Sequence, residues 1–273
     1  MSEIVLSAGV RSNLLQLQQT SDLITQTQNR LATGKKVNSA LDNAISFFTA
    51  QSLDTRANNL NALLDSMSNG VSTIQAANNG ITSITKLVQS AQALVSQAQQ
   101  ANNTTTQASL ATQFDSLLTQ IGQLAGDSGF NGVNLLAGNT LVVTLDDTGN
   151  ASISVTGVDY TNANATPLSI AGAANNWASA TDITAASTAL TAALTSLQAE
   201  SQTLSSSLST VQVRQDFTKS MINTLQTGSD NLTLADSNEE GANLLALQTR
   251  QQLSSTALSL ASQADQNVLR LFR

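Results

Sequence analysis

The sequence contains no cysteine and no histidine. Without thiols there is no disulfide, no thiolate nucleophile and no thiolate metal ligand. Without imidazole there is no Cys/His zinc site and no histidine base. Proline is nearly absent as well: Pro167 stands alone, where average usage would give roughly 14 in a chain this long. Aromatic residues make up 3% of the 273 residues, and so few bulky anchors argue for long helices packed through smaller apolar residues. From Leu87 to Val213 there is neither Lys nor Arg, and the whole chain has a net charge of −7. A nucleic-acid binder needs a basic stripe, and this sequence has none. No apolar run reaches the roughly 18 residues of a membrane span, so no membrane partner is expected. The opening MSEIVLSAGVRSNLLQ has no basic segment followed by an apolar one, and does not read as a cleaved secretory signal.

What is present is helix, packed through Ala, Leu, Val and Ile. Alternating spacings of four and three predict a first helix from about Ile4 to Thr33, with Val10, Leu14, Leu17, Ser21, Ile24, Gln28 and Leu31 on one narrow seam. Gly34 fits its C-terminus, and Lys35 and Lys36 suit the negative end of its dipole. Ser39 with Asp42 reads as a cap for the next helix. That helix is predicted from Ala44 to Gln100, about 85 Å at 1.5 Å per residue. Its seam is Leu60, Leu64, Met67, Val71, Ile74, Asn78, Ile81, Ile84, Val88, Ala91, Val95 and Ala98. Gly70 and Gly80 inside it cost about 1 kcal/mol each against Ala and argue against a perfectly straight rod. Asn102 to Thr106 ends it. A shorter helix follows with Leu110, Phe114, Leu117, Leu118, Ile121 and Leu124, then a loop with an Asn131-Gly132 turn.

The period then falls to two. Leu141, Val143 and Leu145 alternate with Val142 and Thr144; Ile153 and Val155 alternate with Ser152, Ser154 and Thr156. Residues 133–170 are predicted as a small β subdomain with a turn at 146–150, and Ala171 to Ala180 as loop. Helix resumes near Asp182, a candidate cap, with a seam through Leu190, Leu194, Leu197, Ser201, Leu204, Leu208, Val211, Gln215, Thr218, Ile222 and Leu225. Residues 228–236 are predicted as a break. The last helix carries Leu244, Leu247, Gln251, Ser254, Leu258, Ala261, Asp265, Val268 and Phe272. The fold class expected is mainly α: a long antiparallel coiled-coil bundle with a small β subdomain and paired terminal helices.

A lone helix with one apolar stripe is marginal in water. The long central seams can pair with each other. The terminal seams are interrupted by Ser, Gln and Asp, and pairing them still leaves one side of an apolar surface wet. Periodicity alone fits an ordinary intramolecular bundle as well as ends that other copies bury. Gln28, Asn78, Ser201, Gln215 and Gln251 fit either register-setting groups or partly wet positions. No chemistry is encoded: Asp146, Asp147 and Asp159 lack a calcium loop, and Thr33-Gly34-Lys35-Lys36 lacks the upstream Gly and the hydroxyl of a phosphate loop. Catalytic, cofactor-binding and metal-ligating residues are therefore expected to be none, and no cofactor is expected. Arg11, Arg30, Arg56, Arg214, Arg250, Arg270 and Arg273 fit pairing with neighbouring copies or simple solvation, with exposed pairs contributing about 0–1 kcal/mol each.

Four stretches in order carry a resemblance: Arg30 to Asn43 (RLATGKKVNSALDN), the helix Ala57 to Gln75 leading into Asn78-Asn79-Gly80, Phe130-Asn131-Gly132, and the end Gln266 to Arg273 (QNVLRLFR). Together, with a variable middle between them, they resemble bacterial flagellin. The resemblance implies a non-enzymatic structural subunit that polymerises into the extracellular flagellar filament for swimming. It implies three regions: 1–36 with 236–273 as the inner tube, 37–131 with 181–235 as the helical core of the outer tube, and 132–180 as a small exposed β/loop region without large outer domains. It implies subunit packing through terminal-helix residues Leu14, Leu17, Ile24, Leu31, Leu247, Leu258, Val268, Leu271 and Phe272. Its implied partners are many further copies, the flagellar type III export apparatus and export chaperone, and the cap and hook-associated proteins. The alternative within the same lineage is a hook–filament junction protein. Flagellins that stimulate the vertebrate innate immune receptor carry an Arg four residues before a Leu on the long helix and a Glu on the next; here the patch reads Gln89, Ser90, Leu94 and Gln113, and both charges are gone. Weak receptor activation is expected.

Overall fold

The computed structural model describes residues 8–271; of Asp265 and residues 268–271 it describes the backbone course alone. Among the described residues the elements run α1 (Ala8–Thr33), α2 (Ala40–Gln100), α3 (Thr104–Asp127), β1 (Thr140–Thr144), β2 (Ser152–Thr156), α4 (Ala180–Thr233) and α5 (Ser237–Leu271). The chain divides into two compact units, one of Met1–Thr55 with Thr224–Arg273, the other of Arg56–Asn223.

In the first unit α1 and α5 pair antiparallel, with Arg30 opposite Glu240. The inward stripe of α1 is Val10, Leu17, Thr20, Ile24, Thr27 and Leu31. The expected seam through Leu14, Ser21 and Gln28 is corrected: all three are exposed, and Thr20 and Thr27 take the inward steps. Thr20 can do so because its hydroxyl donates to the Gln16 carbonyl at 2.8 Å, leaving its methyl for packing. On α5 the spacing held its register. Glu240 is buried, and Leu244, Leu247, Gln251, Ser254, Leu258 and Ala261 are half-buried along the same side.

Gly34, at φ +69°, ends α1 in the left-handed conformation that a side chain resists. The segment after it is bonded to the break before α5. Lys36 N–H donates to the Thr233 carbonyl at 2.7 Å, Val37 N–H to the same oxygen at 3.3 Å, and Ala235 N–H to the Gly34 carbonyl at 3.0 Å. The break itself is shorter than the predicted 228–236. Helix α4 continues through Gly228 to Thr233 because Gly228 serves packing: a Cβ there would sit 3.3 Å from Leu53 Cδ1. The entry to α2 is capped by Asp42, whose Oδ2 accepts from Asn38 N–H at 3.0 Å, Ser39 N–H at 2.9 Å and Ser39 Oγ at 3.2 Å. These bonds, that from Asn38 first, hold the Asp42 carboxyl below its ordinary value. Asn43 (φ −163°, ψ 100°) interrupts the helix and caps its continuation, accepting from Ser46 N–H at 3.0 Å. The uninterrupted helix thus starts at Ala44, where the sequence places it.

In the second unit the seams of α2, α3 and α4 close a core with the β region. Met67, Ile74, Ile81, Ile84 and Val88 from α2, Phe114 and Ile121 from α3, and Leu190, Leu197, Leu204 and Val211 from α4 are buried in it. Strands β1 and β2 form an antiparallel hairpin, Thr140 opposite Thr156 and Thr144 opposite Ser152. Val143 and Val155 turn inward, and Leu135, Leu136, Tyr160, Leu168 and Ile170 of the flanking loops join the same core. Gly70 and Gly80 of α2 are where this layer lies closest. A Cβ on Gly70 would stand 2.6 Å from Val143 Cγ2, and one on Gly80 would meet Leu136 Cδ1 at 2.7 Å. Arg56 Nε holds Asp147 Oδ2 of the hairpin turn at 3.3 Å. The predicted loop 171–180 contains a turn, Ala174–Trp177, in which Asn175, Asn176 and Trp177 all have positive φ. It seats Trp177 against Phe114, ring centroids 4.9 Å apart. Asp182 is corrected as a cap: α4 begins at Ala180, Ser179 Oγ accepts from Thr181 N–H at 3.2 Å, and Asp182 lies in the first turn.

Candidate functional site

The α1–α5 pair is held at one end by an ion pair. Arg30 Nη1 lies 3.0 Å from Glu240 Oε1; the glutamate side chain is 10% exposed and the arginine 31%. Beside it a cleft of about 320 Å³ is lined by Leu23, Gln26, Leu247 and Arg250 among others. Of the residues expected to pack between subunits, Ile24 is buried and Leu17, Leu31, Leu247 and Leu258 are half-buried within the chain's own pair, while Leu14 is exposed. The side chains of Val268 and Leu271, and Phe272 as a whole, lie outside the described residues.

A second stripe on α5 remains uncovered. Leu245, Leu253 and Leu260 are 67%, 67% and 61% exposed. With Thr249 and Thr256 between them they step by four, four, three and four residues, a second helical seam about 22 Å long offset from the first. Leu15 and Leu23 of α1 are exposed too, and the start of α2 displays Leu41, Ile45 and Phe48, at i, i+4 and i+7, with Leu41 98% exposed. Apolar residues scattered singly on a surface are ordinary, but a periodic run of them marks an interaction surface. The sequence signal for these residues was present as a stripe one position out of phase with the stripe first followed.

In the second unit Ser90, Leu94 and Gln113 come together. With Ser116, Leu117 and Gln120 they line a shallow groove of about 320 Å³ between α2 and α3. Gln89 is exposed on α2 and does not line it. The groove floor is leucine, and its rim carries hydroxyls and amides without a charge. Elsewhere in this unit, burial pushes the Glu200 carboxyl up from its ordinary value, and burial followed by the Glu200 charge pushes the Tyr160 phenol up. Among the described residues no group of acidic side chains is arranged to hold a metal ion, and no helix is long and apolar enough to cross a membrane.

A helical chain with paired ends and a periodic apolar seam left uncovered on its terminal pair belongs to the class of proteins that pack against further helices. Residues 8–140 match the family model described as the bacterial flagellin N-terminal helical region, and residues 180–272 match the bacterial flagellin C-terminal helical region. The chain belongs to the bacterial flagellin family. It is 34% identical to Flagellin FljK of Caulobacter vibrioides, over 100% of this chain and 99% of that one. It is 31% identical to a flagellin of Brucella melitensis, over 100% of both chains. The crystal structure of Bacillus cereus flagellin is similar at a TM-score of 0.47 and 21% identity, covering 57% of this chain and 88% of that one. As a flagellin the chain is a structural subunit of the bacterial flagellar filament, outside the cell. None of these similarities favours the hook–filament junction alternative.

Proposed function

We propose that the chain polymerises through the uncovered seam of α5, with the exposed residues of α1 and the start of α2, against other copies of itself. The observation that carries this is the periodicity of Leu245, Leu253 and Leu260, which is helix-packing periodicity left uncovered among the described residues. In this reading unlike patches meet from copy to copy, and repeated without closure such a contact builds an open helical polymer. In this reading 1–36 with 236–273 form the inner tube, 37–131 with 181–235 the helical core of the outer tube, and 132–180 a small exposed region. Assembly adds stability to the α1–α5 pair. Delivery needs the type III export apparatus and an export chaperone, and growth needs the cap and hook-associated proteins as neighbours. The test is seeded growth. Purified chain added to filament fragments is expected to extend them into long filaments, and chain ending at Asp236 is expected not to. Seeds capped by a few copies without elongation would instead indicate a junction protein.

We further propose that the groove at Ser90, Leu94 and Gln113 engages the vertebrate innate immune receptor for flagellin poorly. What supports this is the uncharged rim: a receptor groove read by charge-assisted hydrogen bonds loses them when Arg and Glu are replaced by Ser and Gln. Purified monomer is expected to give little signalling in receptor-bearing cells, and Ser90→Arg with Gln113→Glu to raise it. Full signalling by the unaltered monomer at low dose would overturn this.

A further inference from the structure

The polar residues in the seams of the second unit are not scattered. From Leu60 to Ala98 the inward side of α2 is apolar, with the half-buried Asn78 a polar exception beside the fully buried Ala77; from Ile183 to Val211 the inward side of α4 is apolar, with the half-buried Ser201 its exception between Leu197 and Leu204. The two exceptions meet. Ser201 Oγ donates to Asn78 Oδ1 at 2.9 Å, between layers in which Ile74, Ile81, Leu197 and Leu204 are buried. Further along the same antiparallel pair, Gln215 Nε2 donates to Ser68 Oγ at 3.1 Å. Thr73, also buried on α2, donates to the Asn69 carbonyl of its own helix and so has no stake in which α4 residue faces it.

We infer that Asn78 and Ser201 set the register of α2 on α4, selecting one alignment among several that the apolar layers alone would accept. A slip of one heptad, about 10.5 Å, brings apolar steps back onto apolar steps. It also moves Asn78 onto Leu194 or Leu208, and Ser201 onto Val71 or position 85. The half-buried amide then faces hydrocarbon on its inner side and loses its bond to Ser201, which disfavours the slipped alignment. The role is specificity. Replacing both groups by apolar side chains should leave the helices as stable or more so, and lose the single alignment. The inference concerns the folded chain and stands apart from polymerisation.

The absence of cysteine makes disulfide reporters unambiguous. Val71→Cys with Leu208→Cys reports the native register, since in an antiparallel pair these positions lie one heptad on from Asn78 and Ser201. Leu64→Cys with Leu208→Cys reports a slip of one heptad. With Asn78 and Ser201 in place, mild oxidation is expected to close the first pair and not the second. With Asn78→Leu and Ser201→Ala, closure of the second pair is expected to appear, with no fall in the thermal midpoint of the helical signal. A second pair that stays open in that background, or a lowered midpoint with the native pairing alone, would overturn the inference. Should the apolar variant fail to fold, Asn78→Ser with Ser201→Asn, which exchanges the two ends of the bond, decides: native pairing alone supports the register role, and slipped pairing overturns it.

Discussion

Leu253→Glu should raise the concentration needed for filament growth by about 10²- to 10³-fold, or stop growth, while the isolated chain keeps its helical signal and thermal midpoint. The asymmetry follows from where Leu253 stands. It is 67% exposed in the single chain, so the monomer has little apolar burial there to lose. In the polymer contact proposed above the same side chain is covered. The substitution removes about 2 kcal/mol of apolar burial and adds the desolvation of a carboxylate, together about 3–4 kcal/mol, and each 1.4 kcal/mol is a factor of ten in an equilibrium. Leu253→Ala should show a smaller effect of the same kind. Elongation from seeds, followed alongside circular dichroism of the monomer, separates assembly from folding. Unchanged elongation by Leu253→Glu would remove the second α5 stripe from the subunit contact.

Arg30→Ala should act in the opposite order, on the chain first and on assembly as a consequence. The Glu240 side chain is 10% exposed, and Arg30 Nη1 is its ion-pair partner at 3.0 Å. Removing one member of a buried pair strands the other, at about 3–5 kcal/mol for full burial; with Arg30 itself 31% exposed, about 2–3 kcal/mol is expected. The loss falls on the α1–α5 pairing, so amide exchange along α1 should speed up, and seeded growth should fail at ordinary concentrations. The double variant Arg30→Ala with Glu240→Leu should recover much of the protection, because it removes the stranded charge along with its partner. Equal loss in the single and double variants would mean that the arginine stem, and not its charge, holds the pair together.

The seams of α2 and α5 were legible in the sequence because most core-facing steps on them carry Leu, Ile, Val, Met or Ala at spacings of three and four. The α1 seam was not, for a physical reason. Leu14 and Leu15 are adjacent, so either can start a stripe, and Thr20 and Thr27 look no more apolar than Ser21 and Gln28 until one sees the Thr20 hydroxyl bonded back to its own helix. Glycine misled in the same way. Gly70 and Gly80 have poor helix propensity, yet each stands where another element comes too close for a side chain. Propensity is a local quantity, and the approach of Val143 or Leu136 is not. The left-handed turn at Asn175, Asn176 and Trp177 was invisible too, since its reason lies in Phe114 on another element. Of the candidate surfaces, the groove at Ser90, Leu94 and Gln113 could be located by analogy of position. The uncovered seam required knowing which leucines the α1–α5 pair had already hidden.

The bonded crossing at Gly34–Val37 and Thr233–Ala235 has a mechanical consequence. A propeller subunit must carry torque, and a single connecting strand would let the terminal pair swivel about it. Here two strands of opposite direction cross side by side and are clasped by backbone hydrogen bonds from Lys36, Val37 and Ala235. Rotation of one about the other must break those bonds together, so load entering through α1 is shared with the strand that leads into α5. The joint bends as a hinge with two leaves and resists twisting as a swivel would not.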